Sequence, residues 1–235
     1  QALRFWVEAC GLAEKEKKGY SLTSFGKLVL ENDPYFEEDI TWWLIHKNLV
    51  SDVEGATSWY YLFNKYPSND FTEEKFLNLL NRFCKEDLNV KVSPNSLKKD
   101  FQCIVATYIK NVTNGTPEDN MICPLSNLGL ISKENYGYKK QPATKLPLVV
   151  AYFTISENAR DGKYLNIKDT IEPEKSLAKT FNLSDENVYE ILASLEDRGF
   201  LTYSRTGGLD SITLLLDAKV ELKIISSSRG RGAGR

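Results

Sequence analysis

Residues 176–216 decide the fold, and they read SLAKTFNLSDENVYEILASLEDRGFLTYSRTGGLDSITLLL. The pattern predicts a short helix, a turn at Asn182-Leu183 and a second helix that Ser184 caps. Apolar residues recur through the second helix at helical spacing: Val188, Ile191, Leu192 and Leu195. Gly199 ends this helix, and residues 206–208 supply the turn of a following hairpin. This order predicts a winged helix-turn-helix, an architecture that usually delivers a helix to the DNA major groove.

The second helix of this unit carries mainly negative charge, which is unfavourable next to phosphates. Its acidic residues are Asp185, Glu186, Glu190, Glu196 and Asp197, against the single basic residue Arg198. Winged helices also dock proteins, and we favour that use here. Arg205 in the wing is a candidate phosphate contact.

Composition sets further limits. The 235 residues carry a net charge of −2 and 42% hydrophobic residues, which is ordinary for a globular protein. Any nucleic-acid binding therefore depends on local basic patches. The four cysteines lack metal-type C-x-x-C spacing, so we expect reduced thiols. With no apolar run long enough to span a bilayer and no secretory signal, we expect a cytoplasmic protein without a membrane partner.

Residues 1–30 resemble the second half of another winged unit. A helix ends at Gly11, residues 14–19 form the predicted turn, and Tyr20 begins the returning strand. Thr23 or Ser24 then caps a short helix. We expect that the chain begins inside this unit, with its opening helices absent. Arg4, Lys17 and Lys18 are its candidate DNA contacts.

A third helix-turn-helix is predicted within residues 31–131, which we assign to a central all-helical domain. One helix is capped by Thr72, and a second begins at Ser93-Pro94, where proline occupies the favoured first position. Its exposed polar residues suit phosphates and base edges better than those of any other helix, and they are Asn95, Ser96, Lys98 and Lys99.

The central domain is also rich in aromatic residues, notably at positions 42–43 and 59–63. Helical spacing favours core packing, and a base-stacking platform is the alternative. The only histidine, His46, lies in this region. We favour a packed, hydrogen-bonded histidine over a general base.

An acidic run precedes the first aromatic helix, and it comprises Glu31, Asp33, Glu37, Glu38 and Asp39. It is typical of a solvated helix start, and the alternative is a Mg2+ or Mn2+ site for phosphodiester hydrolysis. The candidate catalytic residues are therefore Asp33, Glu38, Asp39 and His46. No phosphate-binding glycine motif is present.

Residues 132–147 are polar and predict a connector or a mobile hairpin. Residues 148–225 form the C-terminal winged-helix domain, which opens with an apolar helix over 147–155. Residues 226–235 form a flexible Arg-Gly tail that either binds nucleic-acid backbones or is inert. The predicted fold class is mainly α with small β-hairpins (α+β), as tandem winged-helix or helix-turn-helix units around a central helical domain.

Several segments, taken in order, resemble a known bacterial family. They are LRFW at 3–6, EACGL at 8–12, LTSFG at 22–26, DPY at 33–35, TWWLIH at 41–46, ATSWY at 56–60, FN at 63–64, SLKKD at 96–100, CPL at 123–125 and LGL at 128–130. This family is encoded beside DNA phosphorothioation genes, and its best-known member is the nickase (B) component of the single-stranded phosphorothioation (Ssp) defence system.

The resemblance implies a DNA-binding protein that nicks one strand so that sulfur can replace a non-bridging phosphate oxygen. Its implied partners are DNA, a cysteine desulfurase and an ATP-dependent sulfur-transfer enzyme. Two hypotheses follow: a divalent-metal-dependent DNA nickase, and a non-catalytic adaptor that holds DNA and recruits sulfur-transfer enzymes. A third, a protein-docking scaffold without DNA affinity, stays open.

Overall fold

The computed structural model describes residues 2–110, 122–206 and 209–216. The described α-helices are α1 (Ala2–Ala9), α2 (Ser24–Asn32), α3 (Asp39–Leu49), α4 (Thr57–Tyr60), α5 (Glu73–Glu86), α6 (Pro94–Tyr108), α7 (Leu148–Glu157), α8 (Leu177–Phe181) and α9 (Asp185–Asp197). The described strands are β1 (Ala13–Glu16), β2 (Gly19–Leu22), β3 (Asp70–Phe71), β4 (Ile131–Glu134), β5 (Gly137–Lys140), β6 (Tyr164–Asn166), β7 (Leu201–Thr206) and β8 (Leu209–Leu214). A π-helical turn at Tyr61–Lys65 continues α4. The fold is therefore α+β, as predicted.

Helix starts follow the capping residues of the sequence. The side chains of Thr23, Thr72, Ser93 and Ser184 each accept a backbone N–H three residues further on. Each cap satisfies one of the N–H groups that a helix start leaves without an intrahelical partner. These predicted starts are confirmed, and Thr23 rather than Ser24 caps α2.

In the N-terminal unit, helix α1 packs on β1 and helix α2 packs on β2. The two strands pair antiparallel from Ala13 opposite Leu22 to Glu16 opposite Gly19. The predicted turn over residues 14–19 was therefore too long, because β1 extends to Glu16 and Gly19 turns the chain with φ of 107°. Where α2 begins, Gly26 lies so close to the Leu12 carbonyl that a Cβ there would be 1.9 Å from its oxygen.

Strands β3, β5 and β4 form an antiparallel sheet in that order, which differs from the predictions for residues 31–131 and 132–147. Residues 31–131 are not all helical, because β3 pairs Phe71 with Tyr138 of β5. The stacked rings of these two residues, with centroids 5.5 Å apart, hold this short strand in place. The hairpin predicted as one alternative for residues 132–147 is present as β4–β5, which begins at Ile131. Its second strand is paired on both edges, so this part is not a simple connector.

The C-terminal elements follow the predicted order of helix, strand, two helices and hairpin. Strands β6, β8 and β7 form an antiparallel sheet in that order. Between α8 and α9 the chain turns at Asn182, whose φ of 54° is left-handed. The Nδ2 of Asn182 donates to the carbonyls of Leu130 and Gln141, which flank the β4–β5 hairpin. The turn is thereby fixed to the central sheet.

One hydrophobic cluster runs through the described residues, from Ala9 to Leu214. The aromatic residues of the central helices belong to it: Trp43, Trp59, Tyr60, Tyr61 and Phe63 are each at most 6% exposed. They therefore pack in the core and do not form an open stacking platform. Across the described part of the chain, no helix combines the length and apolarity that crossing a membrane requires.

Replacing Gly26 by alanine tests the close approach of α2 to Leu12. Alanine normally stabilises a helix interior by about 1 kcal/mol relative to glycine. Here the added Cβ would collide with a backbone carbonyl, so we expect Gly26→Ala to lower the free energy of unfolding by about 1–3 kcal/mol. Urea denaturation measures this change. Lys27→Ala, on the exposed side of the same helix, is the control and is expected to change stability by at most about 0.5 kcal/mol.

Candidate nucleic-acid interface

The first turns of α6 present the polar residues that the sequence singled out. The Ser93 side chain caps the helix, and Pro94 begins it. Asn95, Ser96, Lys98 and Lys99 are all exposed, whereas the neighbouring Leu97 is only 4% exposed. The buried leucine fixes the face of the helix that meets the core. The structure therefore brings these four candidates together on one open surface.

The charge of this surface is only partly compensated. The Lys98 ammonium lies 3.9 Å from the Glu73 carboxylate at the start of α5, and both side chains are substantially exposed. Such a pair is weak in water, because solvent and salt screen it. Lys99 makes no ion pair within the described residues. Both lysines can therefore reorient towards a phosphate at little cost.

The β4–β5 hairpin extends this surface beyond α6. A cleft of about 260 Å³ separates α6 from the hairpin, and Gln102, Lys133 and Tyr138 line it. A second open cleft of about 550 Å³ lies at the hairpin tip, beside Lys75 and Tyr136. Tyr136 is 93% exposed.

Sequence reasoning missed these hairpin residues. Residues 132–147 contain two tyrosines and four lysines, but only pairing with β3 places the hairpin beside α6. The available signal was the composition of the segment. Its position depends on a contact between two residues that are 67 positions apart in the chain, Phe71 and Tyr138.

The other predicted DNA contacts lie on separate elements. Arg4 is exposed on α1, and Lys17 and Lys18 are exposed in the turn between β1 and β2. Arg205 belongs to β7, but its side chain is outside the described residues, as are positions 207–208 of the wing turn and the tail 226–235. None of the ion pairs of the described residues joins Arg4, Lys17 or Lys18 to α6.

Asp33 has a structural position within the acidic run. It is only 4% exposed, and its two carboxylate oxygens accept the backbone N–H groups of Glu37 at 2.8 Å and Glu38 at 3.1 Å. These bonds shape the chain that leads into α3, where Glu38 and Asp39 are exposed. No group of three His, Cys, Asp or Glu side chains suited to a metal ion occurs in the described ranges. The run does not fit a preassembled Mg2+ or Mn2+ site.

His46 is completely buried and joins three helices. Its Nε2 lies 2.8 Å from the carbonyl oxygen of Thr180 in α8, and its Nδ1 lies 2.7 Å from the hydroxyl of Tyr108 in α6. A carbonyl can only accept, so Nε2 carries the proton and Nδ1 accepts from Tyr108. Burial lowers the pKa of His46 to about 4, although the bond to Thr180 opposes this shift. His46 thus has the packed, hydrogen-bonded arrangement favoured from the sequence.

Comparisons with known proteins place the fold. The family model described as "Protein of unknown function (DUF4007)" matches residues 1–227. The magnesium ion-bound SspB crystal structure matches with a TM-score of 0.79 and 18% identity, covering 100% of this chain and 76% of that one. A second SspB crystal structure matches with a TM-score of 0.79, 19% identity and the same coverage. No curated protein matches significantly. The resemblance noticed in the sequence is confirmed at the level of the fold.

The buried His46 predicts a pH dependence of stability. Between pH 6.5 and about 4 the unfolded chain binds a proton at this imidazole and the folded chain does not. The free energy of unfolding should therefore fall as pH falls through this window, by about 3 kcal/mol from this group.

Chemical denaturation at a series of pH values measures this effect by comparison with His46→Gln. Carboxylates also titrate in this range, so the difference between the two proteins isolates the imidazole. The variant is less stable near pH 7, and its stability should decline less steeply on acidification. Parallel pH curves for the two proteins would show that the folded imidazole does not resist protonation.

Proposed function

The chain belongs to the DUF4007 family of proteins of unknown function and has the fold of SspB, and from this we propose that it is the DNA-binding component of a bacterial DNA phosphorothioation defence system. The exposed polar start of α6 is the single observation that supports DNA contact best. In this proposal the protein acts in the cytoplasm and nicks one strand to allow sulfur incorporation. A cysteine desulfurase and an ATP-dependent sulfur-transfer enzyme are its partners.

Winged-helix units are the scaffold in this proposal. The element order from α7 to β8 and the sheet order β6-β8-β7 support such a unit at the C-terminal end. Helices α5 and α6 form a second helix-turn-helix, and residues 1–30 contribute part of a third. The proposed domains keep the boundaries 1–30, 31–131 and 148–225, with residues 132–147 between the last two.

Charge favours α6 over α9 as the helix that faces DNA. The first turns of α6 carry Lys98 and Lys99, whereas the first turn of α9 carries Asp185 and Glu186. Duplex DNA lying along α9 would bring its phosphates towards these carboxylates. The outer face of α9 therefore suits a protein partner, and the hairpin lysines beside α6 extend the proposed DNA surface.

We include a divalent cation because one of the similar SspB crystal structures is magnesium-bound. Asp33 already uses both carboxylate oxygens to hold the backbone before α3. The acidic run is therefore not the proposed catalytic centre. Mg2+ and Mn2+ are the cations to be tested in solution.

Removing two positive charges from α6 tests the DNA contact. Lys98→Ala/Lys99→Ala is expected to weaken binding to duplex and single-stranded DNA. Each lost phosphate contact leaves a counterion on the DNA that the wild-type protein would release. The slope of log K against the logarithm of the salt concentration should become less steep by up to about two. Fluorescence anisotropy over a range of salt concentrations measures both quantities.

Arg82→Ala/Lys85→Ala is the matched control, because it removes the same charge from exposed positions near the other end of α5. Arg82 is about 13 Å along the helix from Glu73, the residue that contacts Lys98. An unchanged slope in the α6 variant, or an equal decrease in the control, would remove α6 from the interface.

Supercoiled plasmid tests the nicking activity. We expect relaxed circles in Mg2+ or Mn2+ and none in chelator, with activity persisting in Glu38→Gln/Asp39→Asn because these two carboxylates belong to no cluster of three metal-ligating side chains among the described residues. Agarose gels measure the conversion against a mock preparation. Loss of nicking in a correctly folded double variant would restore the acidic run as a candidate. DNA binding without nicking would favour the adaptor.

A further inference from the structure

A buried lysine without a counterion lies between the central sheet and the C-terminal helices. Lys140, the last residue of β5, is only 7% exposed. Its ammonium donates to the carbonyl oxygens of Leu62 at 3.2 Å and Tyr66 at 3.5 Å. It takes part in none of the ion pairs within the described residues. A buried charge is costly unless it is paired, and two neutral carbonyls leave this one without a compensating negative charge.

Lys140 lines an open cleft of about 390 Å³, which is within the size range of small-ligand sites. Lys179 of α8 lines the same cleft and is exposed. The pKa of Lys140 is lowered to about 8, first by burial and then by the positive charge of Lys179. At pH 7 the Lys140 ammonium therefore stays mostly protonated. Two cations that repel each other across a cleft are both stabilised when an anion binds between them.

Two other charged side chains line the cleft, Lys65 and Asp185. Lys65 also lines the cleft, but its ammonium is already paired with Glu174. Asp185, the first residue of α9, is the one carboxylate of the described wall and opposes an anion. Glu186 places a second carboxylate at this start of α9, and hydrogen bonds from its own backbone N–H and from Ser184 lower its pKa.

Polar donors complete the site. Asn187 lines the cleft, and its Oδ1 accepts the backbone N–H of Ser184, which leaves its Nδ2 as the donor. Ser68 also lines the cleft and accepts the backbone N–H of Asp70, which leaves its hydroxyl hydrogen to donate. A tetrahedral oxyanion with several acceptor oxygens matches two ammonium groups and such neutral donors.

We propose that this cleft binds a single phosphate group, held chiefly by Lys140 and Lys179. The phosphate is either free in solution or part of a DNA strand. The DNA source rests on the function proposed above, and the free-phosphate source does not. The site lies apart from the start of α6, so the two surfaces can be tested separately.

Inorganic phosphate is the first probe, used with the full chain. Calorimetric titration should detect binding, and the melting temperature should rise in phosphate relative to chloride at equal ionic strength. Lys179→Gln, an exposed substitution, should weaken binding about tenfold. Asp185→Asn should strengthen binding about two- to fivefold, because it removes the opposing carboxylate. Lys168→Gln, an exposed lysine outside the cleft, is the charge-matched control and should bind as the wild type does.

Lys140→Met should abolish the phosphate-dependent rise in melting temperature, whatever its effect on stability in chloride. If that variant does not fold, the opposite effects of Lys179→Gln and Asp185→Asn still test the site. No binding to the wild type at tens of millimolar phosphate would overturn the proposal. So would equal affinities for the wild type, Lys179→Gln and Asp185→Asn.

Oligonucleotides distinguish the two sources of phosphate. A preference for a 5′-phosphorylated strand over the same strand with a 5′-hydroxyl, lost in Lys179→Gln, assigns the site to a DNA end. Competition between inorganic phosphate and unmodified DNA, also lost in Lys179→Gln, assigns it to a backbone phosphate. Phosphate binding without either effect assigns the site to the free ion. The two proposals can fail separately, because no α6 residue lines the cleft. A wild type that binds inorganic phosphate but no DNA overturns the proposed function alone, and a wild type that binds DNA through Lys98 and Lys99 but binds no phosphate overturns the cleft alone.

Discussion

The two hydrogen bonds of the buried His46 imidazole connect the parts of this protein. They join α3 to Tyr108 at the end of α6 and to the Thr180 carbonyl in α8. The rings of Phe63 and Phe181 pack against the imidazole and exclude water from it. With water excluded, an unsatisfied ring nitrogen would cost more than it would at the surface. The central helices and the C-terminal helix pair are therefore joined by a polar contact inside a common hydrophobic core.

Local sequence signals predicted much of this fold, because they act over a few residues. Ser93 and Pro94 indicate a helix start whatever they pack against, and Ser184 does the same for α9. The buried face of α6 likewise follows from the helical spacing of Leu97, Phe101 and Ile104. The open polar surface of α6 could thus be predicted without knowledge of its neighbours.

The features that sequence reasoning missed depend on distant contacts. Strand β3 has only two residues and exists because Phe71 pairs with Tyr138. Lys140 looks like one more surface lysine in a polar segment, and its burial follows from the packing of β5 against the carbonyls of Leu62 and Tyr66. The role of Asp33 was likewise hidden, because an acidic run does not reveal which carboxylate turns inward to bind backbone N–H groups.

The left-handed turn at Asn182 has a mechanical consequence. Its side-chain amide holds the carbonyls on both sides of the β4–β5 hairpin, while its backbone sets the direction in which α9 leaves α8. Displacement of the hairpin by a bound macromolecule would pull on the junction of these two helices. One asparagine thus ties the position of the hairpin to the angle between two helices.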